Sequence, residues 1–246
     1  AHGGQADLLL HDTWRVRRDL PPGFAEEMEK ALRYLERRLP DYDKIFFNNP
    51  VTRARLEGVG VLTKEDAIRL GIVGPNLRAS GVPYDVRKVE PYCAYPELDF
   101  QVVTREEGDS MARLLVRVGE IKESINMIRQ ILKKLPEGPI LEERYLKMIP
   151  PKWKDWMAEK GRIKIPAALA SLKPPKGEAV ARVEAARGEV VFYIVSDGSP
   201  KPYRLRMVTP SFRNVVLFEH LIRNCRVADI PAIYGSIDYF PPEADR

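Results

Sequence analysis

Two cysteines and three histidines in 246 residues leave little material for a metal site or a disulfide framework. Cys93 and Cys225 lie far apart, and neither belongs to a CxxC pair or a Cys/His cluster. They are expected to be plain buried thiols in a reducing cytoplasm, with no metal bound. No apolar run approaches the length of about 20 residues that a membrane-spanning helix needs, and no charged-then-apolar leader opens the chain. The expectation is therefore a soluble chain, docked at most on a membrane partner. The first residues, AHGG, lack a methionine, which fits either processing or a piece of a longer protein. Catalytic signatures are also missing: GxxxxGK[ST], strand-linked GxGxxG, HExxH and GxSxG do not occur. His2 and His11 fall in the N-terminal stretch, and His220 sits on a predicted amphipathic helix, where a packed or surface histidine is the ordinary case. A self-contained hydrolase or dehydrogenase is not expected, and no catalytic residue is assigned.

What the chain has is the composition of an ordinary folded protein, with 44% apolar and 30% charged residues. Its 40 basic and 35 acidic residues are well mixed, and the net charge of +5 does not argue for a nucleic-acid partner. The basic-aromatic stretch from Lys152 to Lys160, with Trp153 and Trp156, is too short and motif-free to change that.

The stretch PPGFAEEMEKALRYLERRLPDYD sets Phe24, Met28, Leu32, Leu35 and Leu39 at helical spacing, and Pro40 is expected to close the helix. A short helix is predicted in VLTKEDAIRLG, capped by Thr63 and ended by Gly71, with Glu65 and Asp66 at its positive start. The longest helix is predicted in DSMARLLVRVGEIKESINMIRQILKKLPEG, where Asp109 is a ready N-cap. Its apolar positions recur every three or four residues from Met111 to Leu132, so it favours apolar neighbours along most of its length, as in a helical bundle. The Gly-, Pro- and aromatic-rich segment before it reads as ordered irregular chain, followed by a short strand over residues 100–104. Residues 139–188 are Lys- and Pro-rich and read as a surface excursion. The clearest β signal is GEVVFYIVSDGSPKPYRLRMVTP, a hairpin with a Ser-Asp-Gly-Ser turn. A helix with Ser211 as its cap follows in SFRNVVLFEHLIRNC, and VADIPAIYGSID predicts a short helix leading to the end. The sum is one mainly α-helical α+β domain over residues 19–246, with a small antiparallel hairpin or sheet and an unassigned segment 1–18.

Charged residues in the irregular segments are the site candidates. Arg78 in LRASG, Asp85 and Arg87 in YDVRK, and Asp99 in ELDF can lock loops through bidentate hydrogen bonds, or they can border a ligand or subunit channel. Asp109 and Arg113 stand one turn apart at the start of the long helix, where capping accounts for Asp109.

Five motifs in order carry a resemblance: GVGVLTKEDAIRLGIVGPNLRASGVPYDVRKVEPYCAYPELDF, GDSMARLLVRVGEIKESINMI, LPEGPI, EAARGEVVFYIVSDGSPKPYRLRMVTPSF and AIYGSIDYFPPEADR. Over about residues 19–246 the chain resembles the D-type subunit of the respiratory complex I family. That subunit is a relative of the nickel–iron hydrogenase large subunit, which implies a hydrogenase-large-subunit-like helical core. The hydrogenase counterpart ends in an Asp-Pro-Cys-x-x-Cys element whose thiolates hold nickel and iron. Here Asp238-Tyr239-Phe240-Pro241-Pro242 stands in its place, without cysteine, which implies that this end does not ligate that centre. Complex I relatives end Glu-Val-Asp-Arg, and Glu243, Asp245 and Arg246 match that ending with Ala244 for Val. By resemblance, Asp238, Phe240 and Arg246 line a quinone cavity, and the two prolines make its wall bulkier and stiffer. The family's quinone-headgroup His and Tyr belong to an N-terminal portion absent from this sequence, and no role passes to His2 or His11.

The resemblance also implies a function and an assembly. Electrons pass from NADH through flavin and iron–sulfur clusters in partner subunits to a quinone, coupled to proton translocation. The chain is then inactive alone, binds no cofactor by itself, and shares the quinone site with its partners. Those partners are the C-type subunit, the subunit carrying the terminal iron–sulfur cluster, and a membrane-arm subunit at the quinone entrance. The implied location is peripheral, on the cytoplasmic face of the cell membrane. Alternatives are a related complex fed by reduced deazaflavin or ferredoxin, a hydrogenase large-subunit relative, or a non-catalytic assembly protein.

Overall fold

The computed structural model describes residues 20–135 and 174–245. The segment 1–18, the Lys/Trp stretch and Arg246 lie outside these residues, as does most of the Lys/Pro-rich excursion.

The first helix, α1, covers Phe24–Tyr42 and buries Leu32, with Phe24, Met28, Leu35 and Leu39 half-buried beside it. Pro40 does not close it. The helix runs through Pro40 into a π turn at Asp43–Phe47, where the Asn48 N–H reaches back to the Asp43 carbonyl at 2.7 Å. Proline removes the N–H that would bond the Glu36 carbonyl and crowds that carbonyl, and the main-chain bonding resumes beyond it in the wider π turn. Helix α2 (Pro50–Leu56) starts on Asn49, whose side chain accepts from the Val51 N–H. Helix α3 (Lys64–Arg69) is capped by Thr63, which accepts from the Asp66 N–H at 3.1 Å.

Two one-turn helices follow, α4 (Pro75–Arg78) and α5 (Val86–Val89), and then a 3-10 turn at Tyr95–Glu97. Residues 100–104 form no strand. Main-chain groups of this extended stretch bond instead to side chains of the next helix, α6 (Ser110–Lys133). The Asp99 N–H donates to Gln130 Oε1 (2.8 Å), the Gln101 N–H donates to Glu123 Oε2 (3.1 Å), and the Asp99 carbonyl accepts from Asn126. With these groups satisfied by a helix, strand pairing is not required.

Helix α6 begins at Asp109, whose Oδ1 accepts from the Ala112 N–H at 2.7 Å. It is buried mainly over its first turns, through Met111, Ala112, Arg113 and Val116, and Ile121 and Ile131 are exposed. Ile125 and Met127 are buried again further along, so the expected burial recurs along the helix but is interrupted by exposed positions.

The sheet has order β1-β2-β3, all antiparallel, with β1 at Gly177–Ala185, β2 at Gly188–Ser196 and β3 at Arg204–Val208. Strand β1 uses residues that composition assigned to the surface excursion; as an edge strand it is exposed over most of its length. A tight turn at Ala186 and Arg187 joins β1 to β2.

The segment read as one helix divides into α7 (Pro210–Asn214) and α8 (Val216–Leu221). Its cap is Thr209, not Ser211, because Pro210 fits the first helical position and the Thr209 hydroxyl is then placed to accept from the Phe212 N–H. A 3-10 turn at Val227–Asp229 leads into α9 (Ile230–Ile237), and α10 (Pro241–Ala244) closes the described chain. The main core joins Leu62, Ala67, Ile72 and Leu77 to Leu217, Leu221, Ile233 and Ile237. It thereby clamps the irregular Gly/Pro-rich segment against the chain end.

Candidate functional site

Two groups of buried charge lie on either side of α4 and α6. In the first, Arg78 is 1% exposed and extends its guanidinium in three directions. Its Nε donates to Glu120 Oε1 (2.7 Å), and its Nη1 donates to Glu184 Oε1 (2.9 Å) and to the Tyr84 carbonyl (3.0 Å). Asp85 stands 3.7 Å from the same Nη1. Asp85 also caps α5, and it accepts the Arg87 fork at 2.9 and 2.6 Å. Arg87 in turn covers the Phe100 ring at 5.1 Å. Burial pushes Arg78 toward neutrality, but Glu184, Glu120 and Asp85 outweigh it and hold the guanidinium above its ordinary range. Asp85 is likewise opposed by burial and held below the usual carboxylate range by Arg87 and Arg78. Burial drives Glu184 the other way, upward.

The second group gathers around the chain end. Arg113 is 0% exposed and forms no ion pair among the described residues, Asp109 attracting it only from a distance. Its donors go to neutral oxygens: Ser236 Oγ (3.0 Å), the Gly108 carbonyl (2.8 Å), the Gly60 carbonyl (2.9 Å) and Ser110 Oγ (3.0 Å). Burial, followed by the charge of Arg117, lowers it to about 9. Arg117, one turn further along α6, donates through Nη1 to the Ser236 carbonyl (2.9 Å) and through Nη2 to the Ile237 carbonyl (3.3 Å). Its Nε is buried without a hydrogen-bond partner among the described residues and stands 3.8 Å from Asp238 Oδ2. Burial lowers Arg117 as well, against the pull of Asp238.

Asp238 ends α9 in the left-handed region, at φ 56°, and its side chain is 40% exposed. A non-glycine residue takes that conformation only where its surroundings hold it. Arg187, in the β1–β2 turn, supplies the hold: Nε donates to the Asp238 carbonyl (2.9 Å) and Nη2 donates to Oδ1 (3.3 Å). The same guanidinium lies over the Phe240 ring at 5.0 Å. The turn reaches this place because Gly74 and Gly188 meet back to back. A Cβ on Gly74 would lie 2.2 Å from the Arg187 carbonyl oxygen. Beyond Phe240, the Thr209 hydroxyl donates to the Glu243 carbonyl (2.7 Å) and the Ser211 hydroxyl donates to the Glu243 carboxylate.

The structure therefore brings together Arg78, Asp85 and Arg87, and separately Asp238 and Phe240 around Arg187, while Arg113 reaches the chain end only through Ser236. Asp109 supports the second group from behind, holding the Gly58 N–H through Oδ2 at 2.7 Å. Asp99 acts through its main chain and joins neither group. Sequence reading missed Glu120, Glu184, Arg117 and Arg187. The signal for Arg117 was two arginines one turn apart on a core-facing helix, a like-charge pair that is unfavourable unless something uses it.

Residues 15–246 match the family model described as the respiratory-chain NADH dehydrogenase, 49 Kd subunit. The chain belongs to that family. A D-type subunit of the NADH-quinone oxidoreductase of Rhizobium meliloti is 41% identical over 240 residues, covering 94% of this chain and 58% of the relative. The H-type subunit of the chloroplastic NAD(P)H-quinone oxidoreductase of Marchantia polymorpha is 39% identical, over 97% of this chain and 62% of its own length. Among solved structures, a chain of the membrane-bound sulfane sulfur reductase, an archaeal respiratory membrane complex, superposes with a TM-score of 0.81 at 42% identity. That match covers 95% of this chain and 58% of the other. The chain thus spans about three-fifths of the length of its 49 Kd-type relatives. Its mainly helical α+β fold with a small antiparallel sheet is that of the 49 Kd family. Among the described residues, no helix is long and apolar enough to cross a membrane, and no three His, Cys, Asp or Glu side chains are grouped to hold a metal ion.

Proposed function

We propose that this chain is part of the peripheral-arm D-type subunit of a complex I-type oxidoreductase, and that Asp238, Phe240, Arg187 and Arg117 form one wall of its electron-acceptor site. The observation that carries this reading is the convergence of two guanidiniums on a half-exposed carboxylate beside an exposed aromatic ring. Phe240 offers a face on which a quinone ring stacks. Arg187 can turn a donor toward quinone oxygens, which gain negative charge as electrons arrive, and Arg117 behind it adds positive potential. Positive charge in place before the reaction stabilises that charge with little reorganisation. Reduction of a quinone to the quinol takes two electrons and two protons, one proton to each ring oxygen. The electrons come from NADH through flavin and iron–sulfur clusters in partner subunits. By the resemblance of its ending to that of complex I relatives, Arg246 is assigned to the same site. The neighbours are the C-type subunit, the subunit with the terminal cluster, and the membrane arm, with the chain on the cytoplasmic face and turnover coupled to proton translocation.

One observation favours a second reading. The solved relative at 42% identity belongs to a sulfane sulfur reductase, and the guanidinium excess at the chain end would equally suit an anionic sulfur chain as acceptor. A donor other than NADH, such as reduced ferredoxin, goes with that reading.

The test is isolation of the complex from its own cells, with metal analysis and acceptor assays on the same sample. A flavin- and iron-containing assembly without nickel that reduces quinone with NADH supports the first reading. Polysulfide reduction without quinone reduction supports the second, and recovery as a lone chain without either activity overturns both.

A further inference from the structure

Around Arg78 the buried charges do not balance. Among the described residues, the carboxylates of Asp85, Glu120 and Glu184 have only the guanidiniums of Arg78 and Arg87 within ion-pair distance, and Arg117, one turn before Glu120 on α6, is the next cation that Glu120 attracts. Arg87 gives its fork to Asp85, and Arg78 bridges Glu120 and Glu184. Glu120 is 22% exposed and shares its charge with solvent. Asp85 has the Arg87 N–H as well as the fork. Glu184, 4% exposed, has neither relief. One of its oxygens shares Arg78 Nη1 with the Tyr84 carbonyl, and the other receives only the Val86 N–H at 3.4 Å. The remaining charged and titratable neighbours do not help. Tyr92 Oη accepts from the Glu184 main-chain N–H at 3.0 Å rather than bonding to the carboxylate. Arg182 pairs with Glu90, and Glu189 holds Arg213 and lies near Tyr84 OH. A buried carboxylate in surplus is relieved most simply by a proton.

Two elements connect Glu184 to the chain end. Helix α4 carries Arg78 on the Glu184 side and, toward the tail, Asn76, which donates to the Ile237 carbonyl at 3.0 Å. The β1–β2 hairpin carries Glu184 near its tip and Arg187 in its turn.

We propose that Glu184 is a proton-binding site of this subunit, whose occupancy rises when the Asp238–Arg187 site gains negative charge. The coupling half of this inference rests on the reading of that site as the electron-acceptor site; the proton site itself does not.

The experiment is infrared difference spectroscopy of the intact complex, oxidised against NADH-reduced, in H2O and D2O, with the wild type, Glu184→Gln and Glu184→Asp. The expected result is a protonated-carboxyl carbonyl band that shifts in D2O, grows on reduction, vanishes in Glu184→Gln and returns displaced in Glu184→Asp. If Glu184→Gln fails to assemble, displacement of the band in Glu184→Asp decides instead. A wild type without such a band, or a band unaffected by either variant, overturns the proposal. Quinone reduction is followed in the same samples, which separates the two ideas. Quinone turnover with no Glu184 band removes the proton site alone, and a Glu184 band without quinone turnover removes the proposed acceptor.

Discussion

The two buried charge groups use the same side-chain type in opposite ways. Around Arg78, among the described residues, three carboxylates stand within ion-pair distance of two guanidiniums. Around Arg113 and Arg117, main-chain carbonyls and serine hydroxyls replace carboxylates, and the one anion within ion-pair reach among the described residues, Asp238, is half-exposed. Neutral acceptors satisfy a guanidinium's hydrogen bonds but leave its charge in place. The first arrangement ties loops to a sheet, and the second keeps positive potential pointed at the tail. Function is expected where charge is left uncompensated, because such an arrangement is unfavourable for folding alone.

The largest expected effect comes from breaking the first group. Arg78→Met leaves buried carboxylates unpaired and is expected to destabilise the fold by about 3–5 kcal/mol. Arg113→Met removes a cation whose acceptors are neutral, and its expected cost is about 1–3 kcal/mol. Urea unfolding of both variants checks the contrast, and equal losses would mean that the two groups do not differ as described. Gly74→Ala is next. A side chain at φ 69° facing the Arg187 carbonyl is expected to destabilise by roughly 1–3 kcal/mol and to displace the Arg187 turn, which the same unfolding series and weaker acceptor reduction would reveal. Asp109→Ala removes the cap of α6 and the Gly58 bond, for a loss of about 1 kcal/mol.

The smallest effect is a slope. Burial holds Glu184 above its unfolded value of 4.5, so the native state keeps a proton that the unfolded chain releases. Stability therefore falls as pH rises from that unfolded value through the raised native one. Glu184→Gln is expected to flatten this decline, as read from unfolding midpoints across the window, and an unchanged slope would count against a raised Glu184.

Most elements of the fold were legible because their causes are local. Thr63 and Asp109 cap the helices they precede, and the alternation of Tyr203, Leu205 and Met207 after an Asp-Gly turn predicts the hairpin. Failures occurred where a distant partner decided the outcome. Residues 100–104 bond to side chains of α6, which no alternation pattern reveals. Strand β1, rich in charge and alanine, pairs because β2 offers it an edge. Pro40 passed as a helix end because the π turn that accommodates it leaves no mark in the residues themselves. The tail was singled out through Asp238 and Phe240, but Arg117 and Arg187 were not, since each is remote in sequence from what it holds.

The most direct test of the tail as the acceptor wall is a pair of rates on the intact complex carrying Arg187→Gln. One is donor-to-quinone electron transfer, and the other is donor-to-ferricyanide transfer, which bypasses the wall. Loss of a charged donor aimed at the acceptor is expected to slow the first on the order of tenfold or more, with the second unchanged and the complex assembled. An unchanged quinone rate, or an equal fall in both, would contradict the account.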